Sequence, residues 1–406
     1  MELMQQIAEY LSEKDMANFA LTSRQVYGAI NHFLYFYNAR KNTSSALIWG
    51  CELGVLGTVL HALENHANVN TCICSGQEKQ SPPLHVAAEN GHHEIIRLLL
   101  QANAEIDGRS SGGDTALCIA ASNGHHLAVA ELLKAGANIE LADGWGKTPL
   151  SLAAKNRFVP VVVQLVAAGA SINHVDTFGD TPLILAAGRG QAQIIAQLLK
   201  AKAEVDISNS RGCTALSEAA AMGFSTIVKR LIRAGANVEH SNVSGATPLF
   251  LAFHHPATLR ELLHAGAKIN CYTGRRSRRS VLTEAAEFGH LYSVNTLIQA
   301  GAELEFTCSD GRTALSLAAG RGHLEICKTL IMGGAKVSST DILGRTALSW
   351  AAENGNVELF KFLWQLDPLI NYTDRTGRSP LSWAVLRGHS DIVLFISQNA
   401  AIDIAT

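Results

Sequence analysis

The chain has 406 residues, of which 47% are hydrophobic and 17% charged, so it carries enough apolar material for a large folded core and does not belong to the disordered class. Its 33 basic and 35 acidic side chains nearly cancel, which argues against nucleic acid as a partner because nucleic-acid binders carry a strongly basic face. With no long apolar run and no signal-peptide start, we expect an intracellular protein of the cytoplasm or nucleus, without a membrane partner.

The first 42 residues form their own segment. Apolar residues recur at helical spacing in residues 3–11, which predicts a first helix. The Ser-Glu-Lys-Asp sequence at 12–15 is typical of a capping box that opens a second helix, and a Thr-Ser pair at 22–23 is suited to cap a third. The segment 1–42 is therefore predicted to be a small three-helix module.

From residue 43 to residue 406 the sequence is periodic. A leucine followed by small residues, most often Ala-Ala, returns after a first interval of 37 residues and then at every 33 residues. The anchor leucines are Leu47, Leu84, Leu117, Leu150, Leu183, Leu216, Leu249, Leu282, Leu315, Leu348 and Leu381. Such a period predicts an all-α array of about eleven helix-turn-helix repeats, because one helix pair cannot bury its apolar face without a neighbour.

The repeat that contains Thr148 illustrates the structural role of each position. In the sequence Asp143-Gly144-Trp145-Gly146, the Asp and Gly residues favour a tight turn, which we call a finger because it should project from the helices. Thr148 is suited to cap the helix that Pro149 begins. Val162, Val163 and Leu165 then supply a second helix, which ends at the glycine of Ala168-Gly169-Ala170.

These motifs resemble those of ankyrin-repeat proteins. Thr148-Pro149-Leu150, Thr181-Pro182-Leu183 and Thr247-Pro248-Leu249 match the family signature, as do the Gly-His pairs and Ala135-Gly136-Ala137. The resemblance implies a solenoid with β-turn fingers that binds a partner protein on its concave face. It also implies a scaffold that is not an enzyme and needs no cofactor.

The N-terminal segment resembles the F-box that precedes ankyrin arrays in many filamentous-fungal proteins. The resemblance lies in Glu2-Leu3-Met4 and the apolar positions after it, although the Leu-Pro pair that usually opens the motif is absent. It implies binding to Skp1, and hence a role as substrate receptor of a Skp1-cullin-F-box ubiquitin ligase. The positions that match the Skp1-binding motif are Leu3, Met4, Ile7, Leu11 and Leu21. The alternative is a stand-alone scaffold whose first helices only cap the stack.

The repeat that begins at Leu249 departs from the pattern. It is two residues short, and the connector 270–280 after it is two residues longer. The connector contains the basic run Arg275-Arg276-Ser277-Arg278-Arg279, for which three interpretations stay open: a localisation signal, a patch for acidic ligands, or a solvated loop.

No residue pattern indicates catalysis or metal binding. Five histidines occupy the same repeat position after a glycine, which favours a structural role in hydrogen bonds to neighbouring turns: His92, His125, His290, His323 and His389. The eight cysteines are scattered and lack zinc-ligand spacing, so we expect them to be reduced, and no phosphate-binding loop or nucleophile elbow is present.

A partner is expected at the finger tips, which do not serve the core. The predicted partner-binding residues are Trp145, Phe178, Arg211, Asp310, Arg312, Arg345 and Arg378. Aromatic and arginine side chains are the commonest interface anchors, which suggests an aromatic sub-site at Trp145 and Phe178 and an acid-preferring sub-site among the later arginines. Equally open is the interpretation that Trp145 and Phe178 pack on adjacent fingers.

Overall fold

The computed structural model describes residues 45–71, 81–274, 278–367 and 373–403. The chain divides into two compact units, the first ending at Glu204 and the second beginning at Val205. In the described residues every anchor leucine lies in the first helix of a helix pair, so the predicted array of eleven helical repeats is confirmed for that part of the chain. The predicted module 1–42, with Leu3, Met4, Ile7, Leu11 and Leu21, lies outside the described residues.

Five helix pairs form the described part of the first unit. Their bounds are α1 Ser45–Leu53 and α2 Leu56–Glu64, α3 Pro83–Asn90 and α4 His93–Gln101, α5 Ala116–Asn123 and α6 His126–Lys134, α7 Pro149–Lys155 and α8 Val159–Ala167, and α9 Pro182–Ala187 and α10 Ala192–Lys200. First helices pack on the first helices of neighbouring repeats, and second helices pack on second helices. The repeats are therefore stacked in parallel layers.

Six pairs form the described part of the second unit. Their bounds are α11 Ala215–Ala221 and α12 Ser225–Arg233, α13 Pro248–Leu251 and α14 Pro256–His264, α15 Val281–Glu287 and α16 Leu291–Gln299, α17 Ala314–Arg321 and α18 Leu324–Met332, α19 Ala347–Glu353 and α20 Val357–Leu366, and α21 Pro380–Arg387 and α22 Ser390–Asp403. The same layered contacts recur within this unit.

Turn and cap chemistry fixes where each first helix begins. In the finger before α7, Oδ1 of Asp143 accepts from the backbone N–H of Trp145 at 2.8 Å and of Lys147 at 2.7 Å, and Gly146 adopts a φ of 75°. Thr148 then accepts from the N–H of Ser151, as predicted. The same threonine or serine cap opens nine of the described first helices: α5, α7, α9, α11, α13, α15, α17, α19 and α21.

The core consists of the anchor leucines, the alanines beside them and the inner face of each second helix. All anchor leucines except Leu381 are buried. In α8 the buried residues are Val161, Val162 and Leu165, whereas Val163 is exposed. The three residues predicted to supply the second helix, Val162, Val163 and Leu165, all lie in α8.

The recurring histidines connect repeats, as predicted for that position. Nε2 of His125 lies 2.8 Å from the carbonyl oxygen of Glu89, Nε2 of His389 lies 2.8 Å from that of Glu353, and His92 and His323 make the equivalent contacts. His290 makes no such bond among the described residues. Its ring lies 5.5 Å from that of Phe253 instead, because the preceding first helix α13 is only four residues long.

A second series of inter-repeat hydrogen bonds was not predicted. An Asn, Asp or Glu side chain that follows eight of the described second helices accepts from a backbone N–H of the next repeat, as Glu140 does from Ser171 at 2.7 Å. The other acceptors are Asn70, Asp107, Asn173, Asp206, Glu239, Asn270 and Glu305. The signal was present in the sequence, because an acceptor side chain recurs three residues after the alanine that closes the repeat.

The irregular repeat holds the small amount of β-structure in its connector. Strand β1, Tyr272–Thr273, pairs antiparallel with β2, Arg279–Ser280. Ser280 then caps α15 with a capping box that includes Thr283. The two extra connector residues therefore extend the finger into a short hairpin, a detail that the all-α prediction does not contain.

Candidate protein-binding surface

Trp145 and Phe178 occupy the tips of two consecutive fingers in the first unit. Their ring centroids are 6.1 Å apart with an interplanar angle of 20°, so the rings are stacked. Even so, Trp145 is 64% exposed and Phe178 50% exposed. The open interpretation that the two side chains pack on adjacent fingers is therefore confirmed, and the pair still presents a large apolar surface to solvent.

The two fingers beneath these rings are held together by direct bonds. The carbonyl oxygen of Trp145 accepts from the backbone N–H of Thr177 at 3.1 Å and from its hydroxyl at 2.8 Å. Nζ of Lys147 lies 2.8 Å from Oδ2 of Asp176, and both side chains are buried. The same ammonium lies 5.1 Å from the centroid of the Phe178 ring. These contacts hold the two fingers that carry the aromatic pair in a fixed position relative to each other.

A polar groove lies in the neighbouring repeats of the first unit. Among the residues that line it, Glu89, Asp114 and Asp143 are acidic, and Ser110, Ser111 and Ser122 carry hydroxyls. Because Asp143 belongs to the finger that carries Trp145, the groove runs up to the finger with the aromatic tip. Apolar and polar contact positions are thus next to each other.

In the second unit, three predicted arginines alternate with two tryptophans. The guanidinium carbons of Arg312 and Arg345 lie 3.8 Å and 3.7 Å from the ring centroid of Trp350. Arg345 also lies 4.2 Å from the ring of Trp383, and Arg378 lies 4.9 Å from the same ring. We call this column of five side chains the Arg–Trp ladder.

Arg345 is an internal member of the ladder. Its side chain is only 6% exposed and forms an ion pair with Glu353. The expectation that Arg345 is an exposed finger-tip residue is therefore wrong, because the tryptophans of its own repeat and of the next one cover both faces of the guanidinium. Arg312 is half-buried in the same way, whereas Arg378 is exposed at the end of the ladder.

Two aspartates orient the tryptophans. Oδ2 of Asp341 accepts from Nε1 of Trp350 at 3.1 Å, and Oδ2 of Asp374 accepts from Nε1 of Trp383 at 2.9 Å. Burial opposes ionisation of Asp374, but hydrogen bonds from Thr376, Arg378 and Trp383 outweigh it and lower the pKa of Asp374 to about 2. Both aspartates are thus committed to internal bonds.

The remaining predicted tip residues are exposed. Arg211 donates to Oε1 of Glu218 at 2.6 Å, and its carbonyl oxygen accepts from the N–H of Val243 on the next finger. Asp310 accepts from Sγ of Cys308 through its carboxylate and from the N–H of Ile342 through its carbonyl oxygen. Arg211 and Asp310 stay predictions as partner contacts.

The described part of the basic run is used within the protein. Arg279 forms ion pairs with Glu284 and Glu287, and its pKa is raised because these two carboxylates outweigh the effect of its burial. The guanidinium of Arg278 lies 5.5 Å from the ring of Tyr272 and 5.6 Å from that of Phe306. Arg278 is exposed and Arg279 half-buried, and the three interpretations of the run stay predictions. Residues 275–277 lie outside the described part.

The described residues contain no candidate metal centre. No group of three or more His, Cys, Asp or Glu in that part of the chain is arranged to hold a metal ion. Burial raises the pKa of the Cys118 thiol to about 11 and that of the Cys327 thiol to about 12. Among the helices that are described, none has the length and apolar character needed to cross a bilayer.

Comparison with known proteins identifies the repeat. The family model described as ankyrin repeats, in three copies, matches residues 7–110, 47–143, 84–176, 117–209, 150–242, 196–273, 249–341, 282–374 and 325–406. A search of curated proteins finds no match to the chain. Ankyrin repeats are typically binding modules without catalytic activity, and their presence implies a scaffold for protein-protein interaction. The matches together extend from residue 7 to residue 406, and the chain belongs to the ankyrin-repeat family.

Proposed function

We propose that this ankyrin array is an adaptor that holds a partner polypeptide on the finger side of its first unit, with Trp145 and Phe178 as the anchors. The observation that carries the proposal is the stacked pair itself, whose centroids are 6.1 Å apart while both rings remain at least half exposed. Large aromatic side chains dominate the energetics of protein interfaces, and they bury much area with little loss of conformational freedom.

The contacts between the two fingers below the rings support this role. Because the two fingers are joined through Trp145 and Thr177, and Lys147 and Asp176 form a buried ion pair below the rings, the aromatic surface is ordered before a partner arrives. Such preorganisation reduces the entropy cost of association. The neighbouring groove, with Glu89 at its edge, adds polar groups that favour partner segments rich in hydrogen-bond donors.

The first test is affinity capture from cell extract with the full chain and with a Trp145→Ala, Phe178→Ala double variant. We expect the variant to lose specifically captured proteins, since hot-spot aromatics each contribute about 2 kcal/mol or more. A Leu127→Ala, Val163→Ala variant is the matched control, because these two exposed apolar residues lie on second helices. Equal recovery by the aromatic variant and by its control would remove the aromatic sub-site.

For the N-terminal segment we propose the finer role of a Skp1-binding module, so that the array presents its captured protein to a ubiquitin ligase. The support is the apolar pattern of Leu3, Met4, Ile7, Leu11 and Leu21. The alternative is a stand-alone scaffold in which this segment caps the stack.

Purified Skp1 distinguishes the two roles. The adaptor role predicts that the full chain binds Skp1 and that Ile7→Asp with Leu11→Asp removes this binding, because the charges would sit on the apolar contact face. Failure of the unaltered chain to bind Skp1 would favour the scaffold and would leave the aromatic anchor proposal intact.

A further inference from the structure

Two similar clusters occur in the second unit, with one repeat between them. Glu287 receives Arg321 of the next repeat at 2.8 Å and also forms an ion pair with Arg279 of its own repeat. Two 33-residue periods later, Glu353 receives Arg387 at 2.7 Å and pairs with Arg345. In both clusters one carboxylate at the end of a first helix therefore joins two guanidinium groups.

The repeat between these clusters has the arginine but not the carboxylate. Arg312 stands where Arg279 and Arg345 stand in their repeats, while Gly320 replaces the glutamate and Asn354 replaces the second arginine. Within the described residues, Arg312 forms no ion pair. The middle repeat therefore lacks the carboxylate and one of the two arginines, and it keeps Arg312 without an internal acid.

The guanidinium of Arg312 is held in place without a counter-ion. It donates through Nη2 to the carbonyl oxygen of Ser316 at 2.8 Å and lies over the ring of Trp350. Its Nε is buried, and no acceptor among the described residues reaches it. Burial lowers the pKa of Arg312, with Asp310, Glu287 and Asp341 opposing that shift from a distance. A cation that is half out of water and unpaired is energetically costly to keep.

The nearby acids are committed elsewhere. Glu287 is held by two arginines, and Asp341 accepts two backbone N–H groups and the indole N–H of Trp350. A Cβ at Gly320 would lie 2.5 Å from Nη2 of Arg312, so the end of that side chain must shift to admit it, and 3.7 Å from both Cζ of Arg312 and Cε3 of Trp350.

We propose that Arg312 is a receptor for a side-chain carboxylate supplied by an acidic segment of the partner protein. The partner's carboxylate pairs with Arg312 in the same way as Glu287 and Glu353 pair with arginines in the flanking clusters. It supplies the acid that the chain lacks in this repeat, where Gly320 stands in place of glutamate. The inference rests on the proposed function, because it assigns the chemistry of a bound protein segment, but it concerns the second unit and not the aromatic pair.

The test uses the full chain and a fluorescein-labelled hexaglutamate peptide with blocked ends, followed by fluorescence anisotropy at low salt. Gly320→Glu supplies the missing acid internally, and Gly320→Ala is its matched control, because both add a Cβ beside Arg312 but only glutamate neutralises it. We expect the unaltered chain and Gly320→Ala to bind the peptide, and Gly320→Glu and Arg312→Gln to bind it about tenfold more weakly or worse.

Two further measurements make the outcome decisive. Hexaglutamine must bind far more weakly than hexaglutamate to the unaltered chain, and Gly320→Glu must unfold in urea at a midpoint no lower than that of Gly320→Ala, since it gains an ion pair. Equal peptide affinity of the Gly320→Glu and Gly320→Ala variants would overturn the proposal. That result would leave the dependence of partner capture on Trp145 unaffected, so the two proposals fail independently.

Discussion

The guanidinium carbon of Arg345 lies 3.7 Å from the ring centroid of Trp350, inside the second unit of the array. The ring of Trp383, in the next repeat, covers the other face of the same guanidinium at 4.2 Å. A planar cation between two indoles, paired with Glu353, connects successive repeats through one side chain. Position 345 therefore contributes to stability, whereas its neighbour Arg378 remains exposed at the end of the ladder.

Replacing Arg345 by methionine should destabilise the second unit by about 3 kcal/mol, because the change removes the stacking and leaves Glu353 in a mostly buried position with one partner fewer. Urea unfolding followed by tryptophan fluorescence and far-UV circular dichroism measures this effect. Arg387→Met is the control, since Arg387 pairs with the same Glu353 but is 54% exposed, and we expect it to cost less than about 1 kcal/mol. Equal effects of the two substitutions would contradict the internal role of Arg345.

The pH dependence of stability should depend on His85, which is buried in α3. Burial lowers the pKa of His85 below its ordinary value, although the carbonyl oxygens of Gly108 and Asp114 partly oppose the shift. As the pH falls through about 6.5, the unfolded chain binds a proton before the folded protein does, so the free energy of unfolding decreases. Lowered pKa values of His254 and His290 act in the same direction.

We therefore expect the unfolding midpoint to fall between pH 7.5 and pH 5.5. His85→Gln should make this fall smaller, whatever its effect at pH 7.5. The reason is that the substitution removes an imidazole whose protonation at low pH favours the unfolded chain. Thermal melts of both proteins at pH 7.5, 6.5 and 5.5 give the two slopes. If the unfolding midpoint of His85→Gln changed with pH as much as that of the unaltered protein, the lowered pKa of His85 would be contradicted.

The inter-repeat bond from the N–H of Ser171 to Glu140 should protect that amide from exchange. Glu140→Ala removes the acceptor and is expected to cost about 1 kcal/mol and to speed hydrogen exchange at Ser171. Glu140→Gln keeps an acceptor oxygen at the same reach and should retain most of the protection. Hydrogen exchange with mass spectrometry of the segment after α8 reads out both variants, and unchanged exchange in Glu140→Ala would count against this contact.

Periodicity predicted most of the fold because each repeat uses the same local rules. The anchor leucines, the Thr148-type caps and the positive φ of Gly169 follow from residue type and spacing, and all are observed. The hairpin β1–β2 was not predictable, because it depends on how two added connector residues close against each other.

The sequence predicted the exposure of candidate site residues only where that exposure depends on a single finger. The turn formed by Asp143 and Gly146 places Trp145 at a tip, so its exposure followed from the sequence. The burial of Arg345 did not, because it depends on where the indole of the following repeat lies in the stack. The regular spacing of Arg312, Arg345 and Arg378, and of Trp350 and Trp383, was visible, but their interleaving is a property of the packed repeats.

The most direct test of protein binding by the aromatic fingers is site-specific photo-crosslinking in cell extract. Benzoylphenylalanine is placed at Trp145 in one sample and at Leu127, an exposed residue of α6, in the other. The account predicts that a captured protein crosslinks at position 145 and not at position 127. Crosslinking of that protein at position 127 alone would contradict it, because the partner would then lie on the second helices and away from the fingers.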